Sequence, residues 1–387
     1  MPGVLIHDGR RTGHLGWCER AIASGAANGV FMSAFSTPRV AVPRSPSADL
    51  FADGIRAVNG EVIFDAESHA KLLSGSNKTE HYDTWELWGP AGEGLDSPNR
   101  QLQHLERVFQ RQAGLGAPRL APTIALDSPG SIEAGYALQT AAVARGLFGE
   151  AWQTIVGSRT FWRSGFLLDE HIGKLVALES PVWVVTVSNE MVMGPAPDLV
   201  DTDAFSGLLR SIHSLSERSR VILTRSDFSG LLGVAAGADS IGAGWDRAMR
   251  TFDPLSFHRA SDAGIRIPAS YVTQGAMLAV LRRDTADAIE RLDPALAARL
   301  RGGSMPPSEG AEREHHLASL SGKLRDLSSL STRGDKVQSL RDSYTAAAYA
   351  FDDLIARIPG SVRGADKKTW HDQQLAVLES YASAEGL

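Results

Sequence analysis

The chain alternates short apolar runs with longer amphipathic stretches from residue 29 to residue 275. Most of the runs are continuous rather than strictly alternating, which is typical of strands buried on both faces of a parallel sheet. The stretches between them space their apolar residues as amphipathic helices do. The pattern predicts a succession of strand–helix units. The runs are GVFMSAF (29–35), EVIFDA (61–66), LAPTIALDS (120–128), WQTIVGS (152–158), PVWVVTVS (181–188), RVILTRSD (220–227), ADSIGAG (238–244) and IPASYVTQG (267–275).

Eight strand–helix units in about 250 residues match the dimensions of a (β/α)8 TIM barrel. A doubly wound open sheet is the rival, but no GxGxxG sequence follows the first run. We therefore predict an α/β TIM barrel over residues 1–275, in which the segment before residue 29 is a lead-in. After residue 275 the chain is rich in helix-forming residues, so residues 276–387 are predicted to form a helical C-terminal region.

Composition excludes several classes of protein. The 387 residues carry a net charge of −6, so the chain lacks the positive charge that holds nucleic acid, and such a partner is unsupported. Cys18 is the only cysteine, which rules out an intramolecular disulfide and a cysteine-rich zinc site. No apolar run is long enough to span a membrane, and the N-terminus lacks the features of a signal peptide. We expect a cytoplasmic protein without a membrane partner.

Functional side chains of barrel enzymes follow the carboxyl ends of the strands. The polar residues that follow the predicted runs include Glu67, and from them we choose four carboxylates for acid–base or nucleophilic chemistry: Asp65, Asp127, Glu190 and Asp227. From the same residues we choose four polar or cationic side chains for substrate binding: Ser36, Arg39, Asn189 and Arg225. Structural alternatives stay open, because Asp65 and Asp127 could cap helices and Arg225 could pair with Asp227.

Two further features draw attention to the same predicted edge. The stretch 73–100 is long, polar and aromatic, and it would lie over the catalytic end of a barrel. The segment GLLGVAAGADSIGAGWD (230–246) places glycines at the end of a predicted strand, where backbone amides can approach a ligand closely. This segment resembles the GAD-x-(V/I)-G-x-G sequence of phosphate- and flavin-phosphate-binding barrels.

The resemblance implies that Gly242 and Gly244 supply amides to a phosphate. Trp245 and Asp246 depart from the phosphate-loop pattern and leave room for a ring or sugar to stack. A tight turn that packs small residues between helix and sheet is the alternative. No histidine spacing indicates a metal site, and no motif identifies a cofactor.

The first functional hypothesis is an enzyme that acts on a phosphate-bearing, nucleotide-like or sugar-like small molecule by carboxylate chemistry. Its reaction class stays open between a glycosyl transferase or hydrolase and a lyase or isomerase. A base-exchange enzyme similar to the tRNA-guanine transglycosylases is an alternative at the level of the fold, because those barrels use an aspartate nucleophile. The cysteine-rich zinc site typical of that family cannot form here with one cysteine. The other alternative is a non-catalytic scaffold whose helical tail binds a partner or a second copy of the chain.

Overall fold

A computed structural model describes residues 2–9, 12–43, 45–189, 198–244, 247–258 and 270–387. Its main sheet has eight parallel strands in the order β3-β2-β1-β8-β7-β6-β5-β4. Two further strands, β9 and β10, form a separate antiparallel pair. The strands are β1 (Gly3–His7), β2 (Gly29–Ser33), β3 (Glu61–Asp65), β4 (Ala125–Leu126), β5 (Gln153–Ser158), β6 (Val182–Ser188), β7 (Arg220–Leu223), β8 (Ser240–Ala243), β9 (Tyr271–Gln274) and β10 (Ala279–Arg282).

Strand β1 lies in the middle of the sheet, where it pairs with β2 on one side and β8 on the other. All five of its residues are buried. The sequence prediction assigned this segment to a lead-in and counted the run 267–275 as the eighth strand instead. That run contributes β9, which pairs with β10 and lies outside the main sheet. The count of eight is therefore right, but one of the eight strands was misplaced.

The strand order is that of a TIM barrel, yet the sheet is open and curls through 209°. Its free edges are β3 and β4, and β4 is only two residues long. Pro118 and Pro122 precede β4 and have no N–H to donate to a ladder. The predicted closed barrel is thus not formed by strand pairing, because β3 and β4 are not paired with each other.

The buried side chain of Gln112 occupies this gap between the two edges. Its Nε2 donates to the carbonyl oxygen of Phe64 on β3, at 3.0 Å, and to that of Leu120, at 2.8 Å. Its Oε1 accepts from the backbone nitrogen of Leu120 at 3.0 Å. One side-chain amide therefore satisfies backbone groups that strand pairing would satisfy in a closed barrel.

The concave face of the sheet encloses an apolar cluster of its own. Its members come from strands near both free edges and from the middle of the sheet: Leu5, Phe31, Ile63, Leu120, Val182, Val184 and Ile222. A second, larger core lies between the sheet and the helices that cover its outer face. Burial on both faces explains why the strand sequences read as continuous apolar runs.

Sixteen α-helices are present among the described residues. Helices α13, α14 and α16 of the C-terminal region pack on β1, α9 and α8 respectively, so this region covers part of the outer layer of the sheet. No described helix combines the length and apolarity that a membrane crossing requires. The helices are α1 (His14–Ala23), α2 (Ala48–Ala57), α3 (Ser68–Lys71), α4 (Pro98–Gly114), α5 (Ile132–Leu147), α6 (Arg159–Trp162), α7 (Phe166–Val176), α8 (Thr202–Ser216), α9 (Gly230–Ala236), α10 (Arg247–Arg250), α11 (Arg283–Leu292), α12 (Pro294–Arg301), α13 (Glu309–Ser328), α14 (Arg333–Arg357), α15 (Gly364–Lys367) and α16 (Gln373–Glu385).

Candidate functional site

A cleft of about 270 Å³ opens at the carboxyl ends of β1, β2, β3 and β7. This is the end of a parallel sheet at which ligands bind in α/β proteins. Acidic, basic and aromatic side chains share its walls. The described residues that line it are Asp8, Gly9, Phe35, Ser36, Glu67, Lys78, Arg225, Met249, Ser256 and Phe257.

A buried ion pair between Glu67 and Arg225 forms one wall of the cleft. Nη2 of Arg225 donates to Oε1 of Glu67, and the hydroxyl of Ser33 donates to Oε2. The side chains of Glu67 and Arg225 are only 4% and 11% exposed. Both carboxylate oxygens of Glu67 are thus held by donors, which fixes the position of the guanidinium beside the cleft.

Both members of this pair have a left-handed backbone, with φ of 47° at Glu67 and 49° at Arg225. A non-glycine residue held in this region costs on the order of 1–3 kcal/mol. At Glu67 the local cause is visible, because its backbone nitrogen donates to Oδ1 of Asp65 at 2.7 Å and turns the chain sharply after β3. The turn aims the Glu67 side chain across the end of the sheet towards Arg225.

Asp65 therefore helps to position Glu67 in the wall of the cleft by accepting the hydrogen bond from its backbone nitrogen. It is partly buried and is not among the residues that line the cleft. Burial raises the pKa of Asp65, although the Glu67 backbone N–H and the charge of Arg225 act in the opposite direction. A catalytic role for Asp65 stays a prediction.

His7, the last residue of β1, holds Arg225 from the other side. Its Nε2 accepts from the backbone nitrogen of Arg225 at 3.1 Å, and its ring stacks on Phe31 with centroids 5.0 Å apart. Burial, reinforced by the charge of Arg225, holds the pKa of His7 well below its usual range. The neutral ring can accept this hydrogen bond because Nε2 carries no proton.

The packing of His7 and Arg225 explains why residue 242 is a glycine, and this explanation does not require a bound ligand. A Cβ there would overlap Nε2 of His7 and lie 2.9 Å from the backbone nitrogen of Arg225. Gly244 is equally enclosed, since a Cβ there would lie 2.5 Å from Cβ of Met249. The phosphate-binding role that the resemblance implies for these glycines stays a prediction, while the close packing of β8 is a structural fact.

Asp8 follows β1 directly and stands at the opposite side of the cleft. The hydroxyl of Thr37 donates to its Oδ2, and its Oδ1 lies 3.1 Å from Nε2 of His14. Burial, with a contribution from Arg313, lowers the pKa of His14 to about 3, so its imidazole is neutral near pH 7. These two partners of Asp8 are therefore both uncharged.

The long segment 73–100 contributes Lys78 to the cleft. Its Nζ donates to the carbonyl oxygen of Ser256 at 2.6 Å, and its backbone nitrogen donates to the carbonyl oxygen of Phe257 at 3.2 Å. These bonds tie the segment to the short helical turn Pro254–Phe257. A second cation is thereby fixed in the cleft that contains Arg225.

Two of the acid–base and binding residues predicted from the sequence, Ser36 and Arg225, are among the described residues that line the cleft. Arg39 lies elsewhere, because its guanidinium donates to Oε2 of Glu86 at 2.8 Å on the protein surface. Asn189 is buried, and its Oδ1 accepts from Nε of Arg159 at 3.4 Å.

Asp227 is fully buried and contacts the C-terminal helical region. Its Oδ2 lies 2.9 Å from Nε of Arg250 and 3.2 Å from Nε2 of His316 on α13. Burial tends to raise the pKa of Asp227, but His316 and Arg250 outweigh it, so the net shift is downward. The predicted Arg225–Asp227 pair is not among the ion pairs of the described residues; Arg225 pairs with Glu67 and Asp227 with Arg250.

Asp127 is exposed at the end of β4, on the sheet edge opposite β3, and is not among the described lining residues of the cleft. Glu190, Trp245 and Asp246 lie outside the described residues. The described part of the chain contains no group of three His, Cys, Asp or Glu side chains arranged to hold a metal ion.

Three residues at the site were not selected from the sequence: His7, Asp8 and Lys78. The signal for the first two was present, since the apolar run GVLI is followed directly by His-Asp-Gly, as strands are followed by functional loops. Glu67 follows β3 by two residues, but nothing in its sequence reveals the left-handed turn that directs it into the cleft.

Comparisons with known proteins leave the family open. No protein-family profile matches the chain, and no curated protein matches it. Among solved structures, the chain is similar to a probable tagatose 6 phosphate kinase from Sinorhizobium meliloti 1021, with 14% identity and a TM-score of 0.30. The match covers 100% of this chain and 98% of that one. A likeness at this level carries no argument about function.

Proposed function

We propose that the protein is an enzyme that binds a small anionic molecule in the cleft and acts on it by carboxylate acid–base chemistry. The observation that carries the proposal is the buried Glu67–Arg225 pair at the wall of the cleft. A guanidinium fixed in this way suits bidentate recognition of a phosphate or carboxylate.

The cost of this arrangement favours a functional origin. Removing two charges from water has a desolvation penalty that their attraction often fails to exceed, so a buried ion pair is weak support for stability. Here the pair also requires two left-handed backbone positions, at Glu67 and Arg225. Strain of this kind concentrates at functional sites, where the surrounding structure holds it in place.

Asp8 is the carboxylate that we assign to proton transfer. The other carboxylate among the described lining residues, Glu67, is already engaged by the guanidinium of Arg225 and the hydroxyl of Ser33. Asp8 accepts a hydrogen bond from the hydroxyl of Thr37 and lies beside the ring of His14. Asp8 borders the space in which a substrate would lie, so its carboxylate can reach a proton on a molecule bound there.

A thermal-shift screen with inorganic phosphate and a set of sugar phosphates tests the binding step. A ligand at about a hundred times its Kd stabilises the folded state by about 2.7 kcal/mol. We expect stabilisation of the wild type and its loss in Arg225→Gln. Arg39→Gln is the matched control, because Arg39 is paired with Glu86 away from the cleft. Equal stabilisation of both variants, or none of the wild type, contradicts the proposal and favours the scaffold alternative.

Turnover is tested by incubating a small-molecule extract with the wild type and with Asp8→Asn, followed by mass spectrometry. The amide keeps the size of the side chain but cannot accept a proton at neutral pH. We expect at least one anionic compound to be depleted by the wild type alone. Equal depletion by both proteins removes Asp8 from the proposed chemistry.

A further inference from the structure

A second cavity, of about 250 Å³, lies beside the cleft and shares part of its wall. Three described residues border both spaces: Asp8, Gly9 and Ser36. The remaining described lining residues are Gly13, His14, Leu15, Thr37, Pro38, Ser45, Pro46 and Phe51. Asp8 therefore stands at the junction of two cavities, and its side chain is only 5% exposed.

The two spaces differ in the chemistry of their walls. The cleft includes the charged groups of Glu67, Lys78 and Arg225 in addition to Asp8. Among the described residues that line the second cavity, Asp8 is the one carboxylate, and His14 is neutral near pH 7 because its pKa is lowered to about 3.

Apolar and aromatic side chains form much of the second cavity. The rings of His14 and Phe51 are stacked, with centroids 5.6 Å apart and an angle of 15° between their planes. Leu15 and Pro46, both half-buried, add apolar surface. Hydroxyl groups of the lining serines and of Thr37 supply a few polar contacts at its edge. Apolar walls with a few placed polar groups are typical of a site for an uncharged ring.

We infer that the second cavity binds an uncharged planar ring that belongs to the same molecule whose anionic group lies in the cleft. This inference rests on the proposed function and adds the class of substrate: a two-part molecule with an acidic group at one end and a ring at the other. The atoms that join the two parts pass Asp8, so they are the atoms within its reach.

Ligand-observed NMR titrations of the full chain with three kinds of probe test the inference. The probes are inorganic phosphate, four free nucleobases as neutral rings, and the corresponding nucleoside monophosphates as joined molecules. Leu15→Trp and, independently, Ser45→Phe fill the second cavity from half-buried positions. Leu15→Ala is the matched control that leaves the space open, and Arg225→Gln changes the cleft alone.

We expect at least one base to bind the wild type and to lose about tenfold or more in affinity in both filled variants, but not in Arg225→Gln. Phosphate should lose affinity in Arg225→Gln but not in the filled variants. The nucleoside monophosphates should lose affinity in Arg225→Gln and in the filled variants alike. Two results overturn the inference: no base binds while phosphate does, or Arg225→Gln weakens the bases as much as Leu15→Trp. Neither result contradicts the proposed function. The proposed function is contradicted by a different result, in which neither phosphate nor sugar phosphates bind.

Discussion

Glu67 and Arg225 are separated by 158 residues in the chain, yet their side chains form a buried ion pair at the end of the sheet. The pair connects the loop after β3 with the loop after β7. Ser33 and His7 hold it from two further strands, so four strand ends cooperate in placing one guanidinium. The properties of this pair lead to the first prediction.

Glu67→Gln removes the carboxylate while keeping the size of the side chain. Breaking one partner of a buried ion pair typically costs about 3–5 kcal/mol, because it leaves an uncompensated charge. We expect the free energy of unfolding, measured by denaturant titration, to fall by an amount in this range. Glu86→Gln is the control, since Glu86 pairs with Arg39 at the surface, where such pairs contribute about 0–1 kcal/mol. A similar loss in both variants would refute the assignment of a special role to the pair.

Gly242→Ala tests the packing of β8 against His7. The added methyl group would overlap the imidazole nitrogen and approach the backbone of Arg225 at 2.9 Å, so one of them must shift. Overpacking of this kind costs about 1–3 kcal/mol, and it should also weaken phosphate binding by moving Arg225. Gly173→Ala in α7 is the control, because a Cβ there meets nothing within 4 Å and alanine favours a helix. An unchanged stability in Gly242→Ala argues against the close packing described above.

The side chain of Gln112 connects the two free edges of the sheet by its hydrogen bonds. Gln112→Leu keeps a buried side chain of similar size but leaves the carbonyl oxygens of Phe64 and Leu120 without this donor. Each buried backbone group left without a partner costs about 1–3 kcal/mol, so we expect a loss of several kcal/mol in denaturant titrations. Hydrogen exchange should accelerate at Leu120, whose N–H loses its acceptor. Gln338→Leu, on an exposed face of α14, should change the stability little.

Stability should decrease as the pH falls below about 6.5. Burial lowers the pKa of His69 to about 4, against an opposing effect of Glu67. The unfolded chain therefore binds a proton at this site over a range in which the folded protein does not, so lowering the pH from 6.5 to about 4 favours unfolding. One such histidine contributes up to about 3 kcal/mol over this range. His69→Phe, which retains a ring beside Phe252, should flatten the dependence measured by denaturant titration between pH 7 and pH 4.5. A slope unchanged by the substitution contradicts this assignment.

The sequence revealed most strands because burial on both faces leaves continuous apolar runs, as in PVWVVTVS (181–188). The sequence pattern did not reveal β1, because this strand has only five residues and such a short run near the N-terminus resembles a terminal extension. This one error also hid His7 and Asp8, because the strand-end rule selects residues only after strands that have been recognised. Ser36 and Arg225 were found because their strands were.

Other features depend on contacts between distant parts of the chain. The closure of the barrel could not be judged from LAPTIALDS (120–128), since only Ala125 and Leu126 form a strand and Leu120 adds one isolated bridge to Trp152. The partner of Asp227 comes from α13, far along the chain, and no local pattern predicts that His316 reaches it. Glu67 enters the cleft through a left-handed turn, which residue type alone does not indicate.

The placement of the Glu67–Arg225 pair bears on the curvature of the sheet. Strand β3 is a free edge of the sheet, and three strands lie between it and β7 in the strand order. The pair therefore connects the two ends of an arc of five strands, one of which is the free edge strand β3. Because five strands of fixed spacing lie along this arc, the distance between its ends changes with the curvature of the sheet, so a contact that holds the two ends together also limits how far the sheet can flatten.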